Sequence, residues 1–468
     1  MRAGPLLAVA LVCTAVAQGR AADLPARPSV LLVTIDTLRA DRVGAYGASP
    51  GLTPRLDGFA RNARVYENAT APMPLTRPSH FSILTGLYPR EHGVLNNQTP
   101  LPADLPTMAE AFQQAGYRTG AFVAVSLLAP DSGVARGFGT FSAPTDAHGW
   151  SADRVVPALS AWLDEVSAGG QPFFAWLHLF DPHMPYEPPA GYRPSTGGVP
   201  GIGDVFSWPI ARELAAKSGG ALSAAVLNRA MQLYDGEVRY TDHWLGETLD
   251  ALRKRALAEK TLVVVTADHG ECFDHGVFFE HSDCLFDGAV HVPLVVRDPG
   301  APKSGERVAT PIGHPELAPM ILRLAGVPAS GRLAAVDGPE TNGRGGERFA
   351  TIEGPSYPAE AQSRRSERQQ QIREVAGHPT RAPLGAEAPL ALRTRDWKLI
   401  ATGAKNELYD LRHDPAESRD VAAGQPELTM RLRRDLDSWM AAHPRRVLPQ
   451  VVPSAELEDA LRALGYVP

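Results

Sequence analysis

The sequence predicts an α/β protein in which helices sandwich a large, mostly parallel central sheet, followed by a small C-terminal α+β subdomain. Short apolar runs alternate with stretches of helical periodicity, and the runs are nearly continuous in apolar residues, as in "SVLLVTID" and "TLVVVTADHG". Strands of a parallel sheet have this composition because helices cover both faces of the sheet. After about residue 326 the pattern changes to polar segments and shorter strand candidates, which sets the C-terminal part apart.

Residues 1–22 are typical of an export signal peptide. Arg2 supplies a positive charge, "LLAVALVCTAVA" is a short apolar run, and the segment 15–17 (Ala-Val-Ala) offers a small-residue cleavage site. The run is short for a bilayer span, and no later segment reaches about 18 uninterrupted apolar residues. We therefore expect an exported protein, periplasmic or secreted, with no transmembrane segment after signal removal. An uncleaved anchor is the alternative.

A main α/β domain is predicted for residues 28–330, where several strand-like runs end in residues that can bind metals or transfer protons. Helical patterns such as "LPTMAEAFQQAG" and "DRVVPALSAWLDEVSAG" separate these runs. In sheets of this kind, active sites gather at the carboxyl ends of the strands. The sequence therefore predicts that one sheet edge carries the functional groups. In chain order these are Asp36, His178, Asp181, His183, Asp268 and His269.

Residues 331–468 are predicted to form the C-terminal subdomain, with a polar insertion at about 356–388. The insertion contains "RSERQQQIREVAGHPTRAPLGAE", which lacks apolar periodicity. Two strand candidates, "LALRTRDWKLIAT" and "NELYDLRHDP", precede a helical pattern in "PELTMRLRRDLDSWMAAH". This order predicts a compact α+β unit that closes one end of the main domain.

Composition argues against some classes of partner. The chain of 468 residues has a net charge of −6 and no basic stripe, so we expect no nucleic-acid binding. An anionic substrate would need local positive charge, such as that of a bound metal. Cys272 and Cys284 remain after the signal peptide, and we favour a disulfide between them over two free thiols in an oxidising compartment. The sequence specifies no oligomeric state.

The segment "APMPLTRPSHFSILTG" predicts a helix that ends at Gly86. Thr76, at the start of this helix, has two interpretations: a plain N-cap, or a nucleophile that meets an anionic group at the helix N-terminus. With Asp36, Asp268 and His269 it forms a set of two carboxylates, one imidazole and one hydroxyl. That set suits a divalent cation with a hydroxyl nucleophile bound to it.

Four segments occur in the order expected of sulfatases within the alkaline phosphatase superfamily. They are "VLLVTIDTLRADRVGAYG", "PLTRPSHFSILTGLYPREHGV", "TADHGECFDHG" and "VPLVVRDPG". The tail is similar to the C-terminal subdomain of that family in "RTRDWKLI", "ELYDLRHDP" and "LRALGYV". From about Pro28 onward the chain therefore resembles a sulfatase-like hydrolase. The resemblance implies an alkaline phosphatase/sulfatase-like catalytic domain and an anionic substrate, a phosphoric or sulfuric ester.

The resemblance also implies a metal site and a nucleophile. Carried onto this chain, the ligands of one divalent metal (Mn, Zn, Ca or Mg) are Asp36, Thr76, Asp268 and His269, and Thr76 is the nucleophile. A bound cation and the helix N-terminus would both stabilise the threonine alkoxide, since an unaided hydroxyl has too high a pKa to attack at neutral pH. We thus expect a covalent intermediate on Thr76.

The nucleophile motif departs from the sulfatase pattern. Sulfatases carry a cysteine or serine that is oxidised to formylglycine, whereas this chain has Thr76 in "TRPSH". Oxidation of a secondary alcohol would give a ketone, so formylglycine is not expected. His80 replaces the usual arginine, Thr37 replaces the second aspartate, and the lysine and histidine expected after "GYRT" are absent. These departures favour a phospho- or phosphonoester as substrate.

Three alternatives to a phospho- or phosphonoester hydrolase stay open. The first is a sulfuric ester hydrolase proper, because members of this superfamily cleave both ester types. The second is a transferase that passes a phosphoryl-linked group to an envelope glycan or lipid. The third is a catalytically inactive protein that retains the metal.

Further side chains are predicted to contact the substrate or a second metal. His183, in "PHMPY", and His281 are candidates for protonating the leaving group, since a histidine pKa near 6.5 suits neutral pH. By resemblance to the phosphodiesterase branch, the same two histidines with Asp181 form a possible second metal site. Arg77 and His80 are predicted to bind the substrate, because a guanidinium matches phosphate geometry.

Overall fold

The computed structural model describes residues 27–145, 147, 149–195, 199–217, 222–282, 284–303, 305–334, 347–356, 388–449 and 451–464. The predicted signal peptide (1–22) and most of the predicted polar insertion (356–388) lie outside the described residues. No helix within the described ranges combines the length and the apolar character needed to cross a bilayer.

The described residues form strands and helices in the alternating order that the sequence predicts. The strands are β1 (Ser29–Ile35), β2 (Arg64–Tyr66), β3 (Ala69–Thr70), β4 (Arg118–Phe122), β5 (Thr140–Ser142), β6 (Phe173–Leu179), β7 (Thr261–Ala267), β8 (Cys272–Asp274), β9 (Val277–Glu280), β10 (Leu294–Arg297), β11 (Arg307–Val308), β12 (Ile312–Gly313), β13 (Ala350–Glu353), β14 (Leu390–Arg393), β15 (Trp397–Thr402) and β16 (Lys405–Asp410). The helices are α1 (Pro54–Ala60), α2 (Thr76–Thr85), α3 (Pro89–His92), α4 (Met108–Gln114), α5 (Ala152–Ser167), α6 (Trp208–Lys217), α7 (Ala224–Lys254), α8 (Asp287–Val290), α9 (Leu317–Leu324), α10 (Pro426–Ala442) and α11 (Ala455–Ala463).

The central sheet has eight strands in the order β11-β2-β10-β7-β1-β6-β4-β5. All of them run in one direction except β10, which is antiparallel to both of its neighbours. Every residue of β1, β6 and β7 is buried, which explains why these runs carry no polar alternation. The carboxyl ends of β7, β1 and β6 therefore lie side by side at the middle of one sheet edge. The predicted fold class is confirmed.

The helices that cover the sheet form two groups. In one group α1 and α5 pack against α7, and in the other α2, α4 and α9 pack against one another. The helix α7 has 31 residues and buries one face along its length, as expected of an amphipathic helix on a sheet. Between these layers lies a single large apolar core.

The C-terminal part forms a second, smaller sheet. Strands β13 to β16 are sequential neighbours and antiparallel, and α10 packs on this sheet through Leu432, Leu436 and Trp439. The helix α11 does not belong to this unit, because Leu457 and Leu461 pack into the main core instead.

Candidate active site

Two carboxylates and one imidazole meet at the carboxyl edge of the central sheet. Asp36 follows β1, and Asp268 and His269 follow the neighbouring strand β7; all three side chains are fully buried. His269 Nε2 lies 3.8 Å from Asp36 Oδ1 and 3.4 Å from Asp268 Oδ2. The structure thus brings together the three residues that the sequence predicts as metal ligands.

The polar atoms of this cluster face one another without hydrogen bonds. Both carboxylate oxygens of Asp36, Asp268 Oδ2 and His269 Nε2 are buried and have no hydrogen-bond partner in the described part of the chain. His269 Nδ1 lies 3.0 Å from the Gly270 carbonyl, so Nδ1 carries the proton and the lone pair of Nε2 faces the carboxylates. Two acceptor oxygens and an acceptor nitrogen that converge in this way fit a divalent cation.

Burial makes the charged forms of these groups costly. It raises the pKa of Asp36 to about 6, against the opposing effect of His183. Burial and the neighbouring Asp36 carboxylate hold the pKa of Asp268 well above its usual range. The pKa of His269 is held well below its usual range, again chiefly by burial. No arginine or lysine balances the carboxylates of this cluster, and the imidazoles of His183 and His281 offset burial only in part, an arrangement compatible with a metal site.

Thr76 is the first residue of α2 and is 1% exposed. The N-cap residue of α2 is Leu75 in an extended conformation, so the interpretation of Thr76 as a plain N-cap is wrong. At the other end, Gly86 adopts the left-handed conformation that closes the helix (φ 73°). Ser79, in the first turn, donates from Oγ to the Asp268 carbonyl at 2.6 Å. This hydrogen bond fixes the start of α2 against the metal-ligand loop.

His80 lies one helical turn beyond Thr76 and is fully buried. Its Nδ1 lies 2.8 Å from the Thr76 carbonyl and 3.4 Å from Asp268 Oδ2, and its Nε2 lies 3.0 Å from Thr34 Oγ1. Both ring nitrogens are therefore engaged by the protein. The geometry does not support the predicted substrate contact of His80. Its contacts instead join the first turn of α2 to β1 and to the loop after β7.

His178 lies beside Asp36, with Nε2 3.5 Å from Asp36 Oδ2. Its ring contacts His80 (centroids 4.9 Å apart), and burial lowers its pKa to about 3. His80, His178 and Asp268 make a second group of ligand-type atoms close enough to hold a metal. In the sequence His178 is one of several residues at a strand end, so its position against Asp36 is a finding of the structure.

Arg77 is buried and turned toward backbone carbonyls. Its Nε donates to the Leu127 carbonyl at 2.6 Å and its Nη1 to the Gln98 carbonyl at 3.0 Å, and burial lowers its pKa to about 10. Its backbone N–H donates to Asn97 Oδ1 at 2.9 Å, a contact that sequence reasoning missed. These contacts fix the loops around α2 and do not support the predicted substrate contact of Arg77.

His281 and His183 gather beside the metal cluster. The His281 ring stacks on the His269 ring (centroids 4.3 Å apart), and the His183 ring lies 5.5 Å from His281. His281 Nδ1 lies 3.1 Å from Glu271 Oε1, and Glu271 Oε2 accepts from the Tyr186 hydroxyl at 3.2 Å. Burial acts to lower the pKa of His281, but the Glu271 carboxylate outweighs it, so this pKa is raised.

Neither Glu271 nor Tyr186 was predicted from the sequence. Glu271 directly follows "ADHG", and that adjacency was the only signal that could have indicated it.

Asp181 faces away from these histidines. Its Oδ2 accepts from the backbone N–H of Ala152 at 3.0 Å, so it stabilises the start of α5, and burial raises its pKa to about 6. In the described residues, the groups close enough to hold a metal do not include Asp181, His183 or His281. The geometry therefore gives no support to the predicted second metal site.

The loop after the metal ligands is closed by covalent and backbone bonds. Strands β8 and β9 form a hairpin, and a disulfide joins Cys272 to Cys284, which confirms the preferred state of these cysteines. The backbone N–H groups of Gly270 and Glu271 donate to the carbonyls of Ala289 and Gly288 in α8, at 2.8 and 3.0 Å. The segment that carries His281 is thus held against the metal-ligand loop.

The turn after Asp36 has an unusual backbone. Thr37 has a φ of 53°, a region that β-branched residues rarely adopt. Its carbonyl accepts from the Tyr234 hydroxyl at 2.7 Å, and the same hydroxyl accepts from the Arg39 backbone N–H at 3.1 Å. Backbone outliers of this kind are concentrated at functional sites. Arg39 itself donates from Nη1 to the Glu271 carbonyl at 2.8 Å.

Comparison with known proteins agrees with this geometry. A family model described as Sulfatase matches residues 28–327. The ulvan-active sulfatase of Formosa agariphila is 26% identical, over 65% of this chain and 63% of its own length, so the match spans less than two thirds of that relative. Arylsulfatase K of Canis lupus familiaris is 23% identical, over 90% of this chain and 84% of that protein.

Solved structures share the fold. The phosphonate monoester hydrolase of Agrobacterium radiobacter has a TM-score of 0.67 to this structure at 22% identity, covering 90% of this chain and 97% of the other.

Proposed function

Because the chain belongs to the sulfatase family, a family of ester hydrolases, we propose that it is a metal-dependent hydrolase that cleaves a phospho- or phosphonoester through a covalent intermediate on Thr76. One observation carries the proposal. Buried, unpartnered acceptor atoms of Asp36, Asp268 and His269 converge, and the first turn of α2, with Thr76 as its first residue, is hydrogen-bonded to Asp268.

The donor set supports one metal site. Asp36, Asp268 and His269 would hold one divalent cation, with the Thr76 hydroxyl as a further ligand. When bound, the cation supplies positive charge that stabilises a threonine alkoxide and the charge on a transferring phosphoryl group. One imidazole beside two carboxylates is compatible with Mn²⁺ or Zn²⁺ and less typical of Mg²⁺ or Ca²⁺.

The proposed reaction then proceeds in two displacement steps. Thr76 Oγ attacks the phosphorus in line, and the bond to the leaving alcohol breaks as that alcohol takes a proton. Water next attacks the threonyl ester, which releases the phosphate or phosphonate and restores the hydroxyl. His281 is the favoured proton donor, because Glu271 anchors its Nδ1 and its ring lies against the ligand His269. His183, 5.5 Å from it, is the second candidate.

A phosphorus ester is favoured over a sulfate ester for two reasons. Thr76 cannot become formylglycine by the route open to cysteine and serine. In addition, His80 stands where sulfatases carry an arginine, and both of its ring nitrogens face protein oxygens. Sulfate ester hydrolysis is the second candidate function, supported by the names of the relatives. A transferase or an inactive metal-binding protein has no specific observation in its favour.

We further propose that the protein is exported. The composition of residues 1–22 supports this, and so does the Cys272–Cys284 disulfide, because disulfides persist in oxidising compartments.

The test is hydrolysis of matched aryl esters (phosphate monoester, phosphate diester, phosphonate and sulfate) by full-length protein with its metal content counted. Thr76→Val removes the proposed nucleophile at nearly constant volume. Thr85→Val is the matched control, since Thr85 is the last residue of the same helix, is equally buried, and donates only to the Phe81 carbonyl.

We expect T76V to abolish turnover of the phosphorus esters while T85V keeps it. Turnover that survives in T76V would exclude Thr76 as nucleophile. Dominant sulfate turnover that depends on Thr76 would overturn the assignment of the ester class but keep the nucleophile.

A further inference from the structure

A cleft lies at the end of the sheet opposite the active site, between α1, α7 and the end of β10. Its volume is about 330 Å³. Arg297, the last residue of β10, pairs with Val263 near the start of β7, whereas Asp268 follows the other end of β7. Five residues of strand at about 3.3 Å each, from Val263 to Asp268, separate the two sites by roughly 17 Å. We call this the arginine cleft; it is lined by Pro54, Arg55, Gly58, Phe59, Arg61, Asn62, Gly246, Leu249, Leu252, Arg253, Ala258 and Arg297.

The lining has four guanidinium groups and no carboxylate, in a chain whose net charge is −6. Asp242 accepts from the backbone N–H groups of Arg55 and Leu56, at 2.9 and 2.8 Å. Asp250 pairs with Arg253 and offsets one of the four cations. Within the described ranges, the guanidinium groups of Arg55 and Arg61 form no ion pair. The cleft therefore keeps positive charge that nearby carboxylates offset only in part.

Two of the four cations are held in place. Arg297 donates from Nη2 to the Ala258 carbonyl, and its guanidinium lies 5.8 Å from the centre of the Phe59 ring. The stem of Arg55 lies across Gly246, where an added Cβ would come within 2.8 Å of Arg55 Cγ. A glycine at this position of α7 is what lets the arginine lie flat on the helix. Such fixed donors lose little conformational entropy when they bind a ligand.

The pKa of Arg297 reflects the nearby positive charge in the arginine cleft. Burial lowers the pKa of Arg297, and the neighbouring Arg253 cation lowers it further, against the effect of Glu259. Two guanidinium groups that repel each other across a cleft are both stabilised by an anion placed between them.

We propose that the arginine cleft binds a phosphate or sulfate group, free or carried as a monoester, at a site separate from the catalytic one. Guanidinium groups present paired N–H donors that match tetrahedral oxyanions. Phe59, Leu249 and Leu252 give the cleft an apolar wall against which the organic part of a monoester would pack. This site does not depend on which ester the active site cleaves.

The test compares binding of inorganic phosphate, inorganic sulfate, glucose 6-phosphate and glucose 6-sulfate to full-length protein by calorimetry at low ionic strength. The variant R55Q/R61Q removes two cleft cations. The control R118Q/R434Q removes two exposed arginines outside the cleft. A third variant, G246A, leaves the charge unchanged and displaces the stem of Arg55.

We expect R55Q/R61Q to weaken one binding equivalent at least tenfold, G246A to weaken it less, and R118Q/R434Q to leave it within twofold of the wild type. Aryl ester turnover should be the same in all three variants, which separates this site from the active site. Equal affinity for inorganic ions and sugar esters would identify the occupant as the free oxyanion, and binding of the sugar esters alone would identify it as a monoester. The inference is overturned if both double variants lose affinity equally, or if the wild type binds no anion outside the active site.

Discussion

Two clusters of buried charge lie within this fold, and they are built in opposite ways. The catalytic cluster of Asp36, Asp268 and His269 contains acceptor atoms that point at one another without partners. The second cluster, which we call the C-terminal clasp, consists of Asp287, Arg393, Lys398 and Glu417. Lys398 Nζ lies 2.5 Å from Asp287 Oδ1 and 2.8 Å from Glu417 Oε1, and Arg393 Nη2 lies 2.9 Å from Asp287 Oδ2.

The difference shows in the carboxyl groups. Burial alone would raise the pKa of Asp287, but Arg393 and Lys398 hold it well below its usual range. Asp36 is more deeply buried than Asp287, whose side chain is 16% exposed, and the pKa of Asp36 is raised to about 6 because no arginine or lysine offsets burial. The protonation state of a buried carboxyl group therefore depends on whether a cationic side chain lies beside it. The clasp contains its own cations, whereas the cluster of Asp36, Asp268 and His269 contains no arginine or lysine.

The two clusters are also connected. Asp287 opens α8, whose Gly288 and Ala289 carbonyls accept the backbone N–H groups of Glu271 and Gly270, directly after the metal ligands. Arg393 Nη1 also donates to Asn68 Oδ1 at 3.0 Å, in the segment that leads to α2. The C-terminal sheet thus contacts the segments that lead to α2 and to the loop after β7.

The largest effects are expected when one aspartate of each cluster is replaced by asparagine, which tests directly whether the two clusters differ. D268N should lose the bound metal and lower kcat/KM at least 10³-fold, because the cation supplies several kcal/mol of transition-state stabilisation. The metal-free D268N fold should be no less stable than the metal-free wild type, since the change relieves repulsion with Asp36. D287N should show the reverse, with a large loss of stability. Urea unfolding in a chelator and metal counting measure both; a metal-free D268N fold that is destabilised as much as D287N would contradict the contrast.

Removing the cation of the clasp gives the next largest effect. Lys398 is fully buried, so K398M leaves two buried carboxylates without their shared partner and should lower the free energy of unfolding by about 3–5 kcal/mol. K405M is the matched control, because the exposed Lys405 pairs only with Glu407 and a surface pair contributes about 0–1 kcal/mol. Denaturant unfolding of both variants tests this, and similar midpoints for the two would show that the clasp contributes little.

A smaller effect is expected beside the catalytic cluster. E271Q removes the charge that faces His281 Nδ1 and should lower kcat about 10–100-fold with unchanged metal content, the usual range for a residue that orients a group at a metal site. Y186F removes only the hydroxyl that donates to Glu271 and should cost less than E271Q. Steady-state kinetics with metal analysis distinguishes the two; loss of metal in E271Q would instead assign Glu271 to the metal site.

A last effect, visible only as the pH falls, concerns a buried group that stays neutral. His92 accepts from the Val94 N–H at Nδ1 (3.1 Å) and lies 3.2 Å from the Pro78 carbonyl at Nε2. Burial lowers its pKa to about 3, against the raising effects of the hydrogen bond to the Pro78 carbonyl and of Glu91. Below pH 6.5 His92 binds a proton in the unfolded chain, whereas in the folded protein it stays neutral until the pH approaches 3. The contribution of His92 is therefore present above pH 6.5 and is lost as the pH falls toward 3.

This loss has a slope of at most about 1.4 kcal/mol per pH unit. In H92Q the slope of the free energy of unfolding against pH, between 6.5 and 4, should be shallower by up to that amount. Identical slopes in the variant and the wild type would contradict the neutral assignment.

Much of the fold and the centre of the site follow from the sequence, because apolar runs predict buried strands and their last residues predict the functional edge. Asp36, Asp268 and His269 meet for that reason. The position of His178 depends on register: it pairs with Thr34, and Asp36, two residues further, faces the same side. Pairing between distant strands leaves no mark on either segment, so this contact could not be predicted.

Three residues whose predicted roles the geometry does not support make contacts that depend on the tertiary structure. His80 is four residues after Thr76, so helical geometry turns it into the interior, a consequence available from the sequence but outweighed by the family motif. Asp181 and Arg77 found backbone partners that only the tertiary structure supplies. Glu271 and Tyr186 are 85 residues apart in the chain, and no local pattern relates them.

The position of α11 at the end of the described chain affects the order in which the fold can form. Leu457 and Leu461 of α11 are part of the main core, and α11 packs on the segment Ser126–Leu128, whose Leu127 carbonyl holds the Arg77 guanidinium beside the proposed nucleophile. In the chain, α11 comes after every residue of the proposed site. The packing that holds Arg77 in place can therefore form only after the whole main domain has been synthesised.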